Sequence, residues 1–93
     1  MRATEWTTRF KKDYKREKRG LHGAILDDLL FPVVELLARD QALEQRFHDH
    51  GLSGDWSDHR DCHIKPDLIL IYQKDRDDVL RLVRLGSHSE LGL

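Results

Sequence analysis

At 93 residues, 39% of them hydrophobic and 35% charged, the chain has material for one small packed core and is too apolar for a disordered tail. A multidomain protein is excluded, no apolar run approaches the roughly 20 residues of a membrane helix, and Met1–Arg9 lacks the apolar stretch of a secretory signal, so a single domain over residues 1–93 is expected in the cytoplasm. The net charge of −1 conceals a division: residues 1–22 carry eight Lys/Arg against three Asp/Glu, and residues 23–93 eight against fourteen, so the basic end presents a local positive field to a polyanion. Cys62, the lone cysteine, has no internal disulfide partner, and the core alone must hold the fold.

Ala3–Trp6 reads as a short first strand. Thr7 or Thr8 is placed to cap a helix in which Phe10 and Tyr14, at i and i+4, form a narrow apolar stripe among Lys11, Lys12, Lys15, Arg16, Lys18 and Arg19, and Gly20 ends it. Ile25, Leu29, Leu30, Val33, Val34, Leu36 and Leu37 recur at three- and four-residue spacing and predict a second helix. Pro32 within it has no amide hydrogen to donate, which predicts a bend near Leu30 or Phe31 or the start of a new segment. After residue 40 the period changes. Trp56–Ile64 reads as a polar strand ending at the turn signal Lys65-Pro66-Asp67. Leu68–Tyr72 is apolar on both faces, as a central strand is. Residues 75–78 form a charged turn, and Val79–Leu85 a further strand closing at Gly86. The order predicts an α+β domain: a short N-terminal strand and two helices packed on an antiparallel sheet, with a C-terminal three-stranded meander.

Six histidines are present, five of them after residue 47: His48, His50, His59, His63 and His88. Singly each reads as an amphipathic surface residue; together they suggest chemistry. The Asp49-His50-Gly51 segment sits in the loop entering the sheet, His88 follows Gly86-Ser87 just past the last strand, and the hairpin turn brings Asp67 within reach of His63 or of whatever His63 contacts. Two chemistries use such a set. In RNA cleavage one imidazole takes the 2′-OH proton, another protonates the departing 5′-oxygen, and Arg60, Arg81 or Arg84 supplies fixed positive charge to the phosphorane. Alternatively, His48-x-His50 and His59-x-x-Cys62-His63 offer metal donors, but these spacings match no zinc signature and an extended strand points Cys62 away from His59 and His63. Catalysis without a metal or other cofactor is the reading preferred.

The run Asp49-His50-Gly51-Leu52-Ser53-Gly54, then Trp56, then Arg60-Asp61-Cys62-His63-Ile64-Lys65-Pro66-Asp67 with Leu68–Tyr72, and finally Arg84-Leu85-Gly86-Ser87-His88-Ser89-Glu90-Leu91, resembles the YafQ branch of the RelE/ParE toxin superfamily. The likeness runs in order and spacing from residue 49 to the end; over residues 1–48 it rests on the layout of strand, basic helix and apolar helix. It implies a RelE-like fold and the toxin half of a type II toxin–antitoxin pair, a ribosome-dependent mRNA endonuclease that acts without metal on A-site mRNA and so inhibits translation. The implied partners are a small antitoxin and the 70S ribosome with its 16S rRNA and mRNA, with no membrane involved.

Carried over by position, the resemblance makes His50 and His63 general bases, Asp67 an active-site carboxylate and His88 the general acid. It also gives Lys11, Lys12, Lys15, Arg16, Lys18 and Arg19 the task of gripping rRNA phosphates. Leu68 and Leu91 depart from the family, which often has aromatics at these positions. The competing class is a RelE-like binding protein without activity, or a ParE-like one that targets another protein; neither has reason to keep His50, His63, Asp67 and His88 together.

Overall fold

The computed structural model of the chain describes residues 1–76 and 78–93. Strand β1 (Ala3–Trp6) leads into helix α1 (Thr8–Arg19), capped by Thr7, whose Oγ1 accepts the Phe10 amide at 3.1 Å, and closed at Gly20. Helix α2 (Leu26–Ala38) runs through Pro32 without a fresh start. Pro32 lies on the exposed side, so the helix gives up one amide donor while its buried stripe of Leu26, Leu30, Val33, Val34 and Leu37 stays continuous.

After a 3-10 turn at Gln45–Phe47 come a two-residue strand β2 (His50–Gly51), a second 3-10 turn at Gly54–Trp56, and strands β3 (Arg60–Lys65), β4 (Leu68–Asp75) and β5 (Val79–Gly86). A short helix α3 (His88–Leu91) ends the chain. The expected meander is present, but its first strand begins at Arg60 instead of Trp56: the Gly54–Trp56 turn folds the indole under the sheet against Ile69 and Ile71. His50, expected in a loop, is on an edge strand paired with Asp61. The charged turn expected at 75–78 includes Asp77, which lies outside the described residues.

The sheet order is β1-β5-β4-β3-β2. It is mixed and not wholly antiparallel, because β1 runs parallel to β5 while the other pairs are antiparallel. Helices and meander intervene between the first and last strands, so β1 reaches β5 by a crossover instead of a hairpin. One face carries the main core, where Phe10, Leu26, Leu30, Val33 and Leu37 pack on Leu68, Leu70, Tyr72, Leu80, Leu82 and Leu85. The opposite face has a smaller cluster of Ile69, Ile71 and Leu91 with Leu52, Trp56 and Val83. Both faces of β4 are thus covered, as its unbroken apolar run requires.

Candidate active site

Strand alternation on β3 decides which side chains can meet. Cys62 pairs with Leu70 and lies in the helix-side core, so Asp61 and His63, paired with Ile71 and Ile69, project on the other face. There the β3–β4 register shifts between His63 and Lys65, an irregularity that redirects the strand end toward the Pro66-Asp67 turn.

Three imidazoles gather at this place. The ring of His63 lies 5.3 Å from that of His88 and 5.3 Å from that of His48. The carboxylate of Asp67 holds His88 twice, accepting from Nδ1 at 2.9 Å and from the backbone amide at 3.2 Å, so Nδ1 carries hydrogen and Nε2 is left out of that contact. Those bonds to His88 hold the Asp67 carboxyl below its usual range. Asp67 therefore acts on His88 and not on His63, the second of the two contacts the hairpin allowed. Helix α3 aims His88 through a capping box: Ser87 Oγ accepts the Glu90 amide, Glu90 Oε1 accepts the Ser87 amide, and Leu91 is buried beneath.

His63 is pushed the opposite way. Burial lowers its pKa first, the charged forms of His88, His48 and His50 lower it further, and Asp61 opposes them. Its neutral form is therefore favoured near pH 7. His50 is fixed from below: its Nδ1 lies 2.6 Å from the His48 carbonyl and 3.2 Å from Asp61 Oδ1. The bond to His48 is the better directed, which leaves Asp61 Oδ1 buried without a hydrogen bond among the described residues. Burial pushes the Asp61 carboxyl above its ordinary range, against the pull of His50, His63 and His88. An acceptor in want of a donor thus lies under the imidazoles, ready for a proton that His50 or His63 gains.

The arginines proposed to steady the phosphorane are placed elsewhere. Arg60 is on the helix-side face of β3, with Nε 3.3 Å from both Asp49 Oδ1 and the Tyr72 hydroxyl, because it alternates with Asp61. Arg84 is locked by Asp13 at 2.6 Å, its side chain 12% exposed. Arg81 is tied to Glu5, Gln73 and Asp75; it pairs with Gln73, four residues along β4 from the Ile69 that faces His63, about 13 Å away at strand rise. On α1, Lys11, Lys12, Lys15 and Arg19 are exposed and make no ion pair among the described residues, Lys18 pairs with Asp27 at 3.4 Å, and Arg16 is built into the fold through Asp13, Glu90 and the Leu85 carbonyl.

The cations near the histidines are instead Arg46 and Lys65, which line a cavity of about 530 Å³ beside His50 and His63. Neither was among the expected site residues, nor was Asp61, nor was His48 placed beside His63. Two signals were available: Asp61 stands at i−2 from His63 on a strand, hence on one face, and Ser87-x-x-Glu90 is a helix-start signature. His59 stands apart against the Trp56 ring at 5.3 Å. Cys62 is buried on the other face, its thiol pushed up by burial, so His59-x-x-Cys62-His63 does not converge on one point. Leu68 and Leu91 are buried in the two cores, 1% and 5% exposed.

A small α+β domain with a helix-backed meander and a histidine–carboxylate cluster on the sheet face away from the main core is the layout expected of a RelE-like toxin. The comparisons narrow this. A family profile described as bacterial toxin of type II toxin–antitoxin system, YafQ, matches residues 2–92, and the chain belongs to that family. It is 33% identical to the mRNA interferase toxin YafQ of Escherichia coli K12 over 90 residues, covering 97% of this chain and 95% of that one. Its structure is similar to that of a metal-bound toxin from Helicobacter pylori, with TM-score 0.84, 46% identity and coverage of 98% and 99% of the two chains. It is also similar to YafQ in the E. coli DinJ–YafQ complex, with TM-score 0.79, 32% identity and 98% of each chain covered.

Proposed function

We propose that this chain is an endoribonuclease toxin of the mRNA-interferase type, which cleaves mRNA in the ribosomal A site by metal-independent acid–base catalysis. The observation that carries the mechanism is the unequal treatment of two neighbouring imidazoles. His88 is held through Nδ1 by the Asp67 carboxylate, which leaves Nε2 as the nitrogen from which it can donate to the leaving oxygen. His63, 5.3 Å away, is held toward its neutral form, able to accept. His63, with His50 beside it, removes the 2′-OH proton; the 2′-oxygen bonds to phosphorus; the bond to the 5′-oxygen breaks as His88 delivers a proton to it. The products are a 2′,3′-cyclic phosphate and a free 5′-hydroxyl. Each positioned proton transfer contributes about 10²–10⁴-fold in rate.

The exposed lysines of α1 suit contact with 16S rRNA phosphates, and the similarity to YafQ in the DinJ complex supports neutralisation by a small antitoxin. Action on ribosomes places the protein in the cytoplasm; among the described residues no helix is long and apolar enough to cross a membrane. The test is single-turnover cleavage of mRNA on programmed ribosomes by wild type and His88→Ala. Expected are cleavage by wild type, a cyclic phosphate end, and loss of at least 100-fold with His88→Ala. Cleavage should survive EDTA at concentrations that leave ribosomal Mg²⁺ replenished; loss restored by a transition metal would overturn the metal-independent step, an arm made pertinent by the metal-bound H. pylori relative. Growth arrest that His88→Ala leaves intact would instead identify a binding poison.

A further inference from the structure

The cavity next to the histidine cluster is unused by the chemistry above, yet shares a wall with it. That wall is His48, His50 and His63; Phe47, half-buried and packed in part on the helix-side core, and Pro66 form an apolar side, and Arg46 and Lys65 bring positive charge. Among the described residues no carboxylate lines it. The Arg46 guanidinium lies 4.6 Å over the Phe47 ring and, among the described residues, pairs only with Glu44, at 3.3 Å, on a side chain 72% exposed. Lys65 makes no ion pair among the described residues. At about 530 Å³ the space falls within the roughly 300–1,000 Å³ of small-molecule sites.

The side of the cluster on which it opens is informative. His88 and Asp67 do not line it, whereas His50 and His63 do. With the general acid on one side and the general base on the other, the cavity lies toward the nucleotide whose 2′-OH is attacked. The aromatics that could have stacked on that base from positions 68 and 91 are absent, and both leucines are buried in the cores. Among the described residues that line the cavity, Phe47 is the one Phe, Tyr or Trp side chain.

We infer that this cavity is the subsite for the nucleotide on the 5′ side of the cleaved phosphate: the exposed Arg46 guanidinium swings off the Phe47 ring, the base stacks in its place, and Arg46 and Lys65 hold the backbone phosphate. The inference rests on the cleavage reading above and names where that substrate sits. Phe47 and the two cations are specificity and binding residues; they perform no proton transfer. Every base has a π-face, so stacking on the ring accepts all four, and the larger purines, which overlap more of it, stack more strongly and give a modest purine bias at this position.

The probe is an mRNA with 2-aminopurine at the nucleotide 5′ of the scissile phosphate and a 2′-deoxy sugar there, bound to programmed ribosomes with the full-length toxin. Stacking on Phe47 quenches the fluorescence; Phe47→Leu is expected to abolish the quench and Phe47→Tyr to keep it. On cleavable mRNA, Phe47→Leu should lower apparent affinity by roughly 5- to 150-fold, the range for one lost stacking contact. It should also flatten the base preference at that nucleotide, and Arg46→Gln with Lys65→Gln should weaken binding without moving the pH profile. A Phe47→Leu protein that melts early is replaced in the test by the Arg46→Gln, Lys65→Gln pair, whose side chains are outside the core. Cleavage by wild type with no quench, or with base preference unchanged in Phe47→Leu, overturns the subsite while leaving the nuclease reading intact. Quench without cleavage does the reverse. Weakened antitoxin binding with unchanged RNA behaviour assigns the cavity to the antitoxin and overturns the inference.

Discussion

Replacing Asp13 by alanine removes the most connected carboxylate among the described residues. Asp13 is buried and accepts from Arg84 Nε at 2.6 Å and Nη2 at 3.3 Å, from Arg16 Nη1 at 2.9 Å and from the Leu85 amide at 3.0 Å. Its loss strands the Arg84 guanidinium, 12% exposed, and a buried backbone amide. Breaking a buried pair from one side costs about 3–5 kcal/mol, and the lower end applies because Arg16 is 41% exposed and keeps Glu17 and Glu90. For a domain of this length, with total stability of roughly 5–14 kcal/mol, that is a large fraction, and Tm should fall by about 12 °C or more. Asp13→Asn keeps an acceptor for Leu85 and should lose less. The pH dependence has a definite sign. Burial raises the Asp13 pKa, but the bonds from Arg84 and Leu85 and the charges of Arg84 and Arg16 outweigh it, and the carboxyl ends below its ordinary value. Its stabilisation is therefore complete above the unfolded value, near pH 4, and is lost as pH falls through the lower folded value. Urea unfolding of wild type and Asp13→Ala at pH 7 and at successively acidic pH reads both effects. A difference under about 1 kcal/mol at pH 7, or one that does not narrow on acidification, would refute the reasoning.

Further outcomes concern the site. In single-turnover cleavage His50→Ala and His63→Ala should each be partial defects and the double variant far worse, because each leaves the other imidazole near the 2′-OH; a dead His50→Ala beside a mild His88→Ala would reverse the roles. Asp61→Asn removes the carboxylate that opposes the other influences on His63, so the acidic limb of the cleavage profile should move to lower pH; a limb that stays or moves up would exclude Asp61 as its electrostatic partner. Charge reversal at Lys11, Lys12 and Lys15 should weaken ribosome association and flatten its salt dependence, with thermal stability unchanged, since these three make no ion pair among the described residues; wild-type binding would mark them as a merely solvated face.

Much of the fold was legible because its signals are local. Thr7 and Gly20 bracket α1, the Leu68–Tyr72 run could only be a covered strand, and Pro66 marks the hairpin. What escaped was set by distant partners. The parallel β1–β5 pairing joins residues more than 70 positions apart, and no local pattern encodes it. The polar strand started late because Trp56 had a cluster to join beneath the sheet, a tertiary destination that overrides strand propensity. In the site, the proposed His63–Asp67–His88 grouping emerged from spacing and resemblance, whereas the surroundings of the arginines did not. Charge counting cannot tell that Arg84 already has Asp13 or that alternation turns Arg60 to the opposite face.

The position of His88 shows how the two halves of the chain depend on one another. A four-residue helix has no stability of its own, so α3 exists only through its capping box, the burial of Leu91 and a tie to α1. That tie is Arg16, whose Nε lies 3.2 Å from Glu90 Oε2 while its Nη2 donates to the Leu85 carbonyl at 2.8 Å. Gly86 leaves room for it, since a Cβ there would come within 2.9 Å of Arg16 Nη2. A residue counted in the basic patch of the N-terminal helix thus serves as a strut for the helix that carries the proposed general acid. Arg16→Glu would place two carboxylates against each other at Glu90 and loosen His88, so it belongs with the histidine variants and not with Lys11, Lys12 and Lys15: it should lower the cleavage rate on ribosomes already saturated with toxin, where a pure docking defect would vanish.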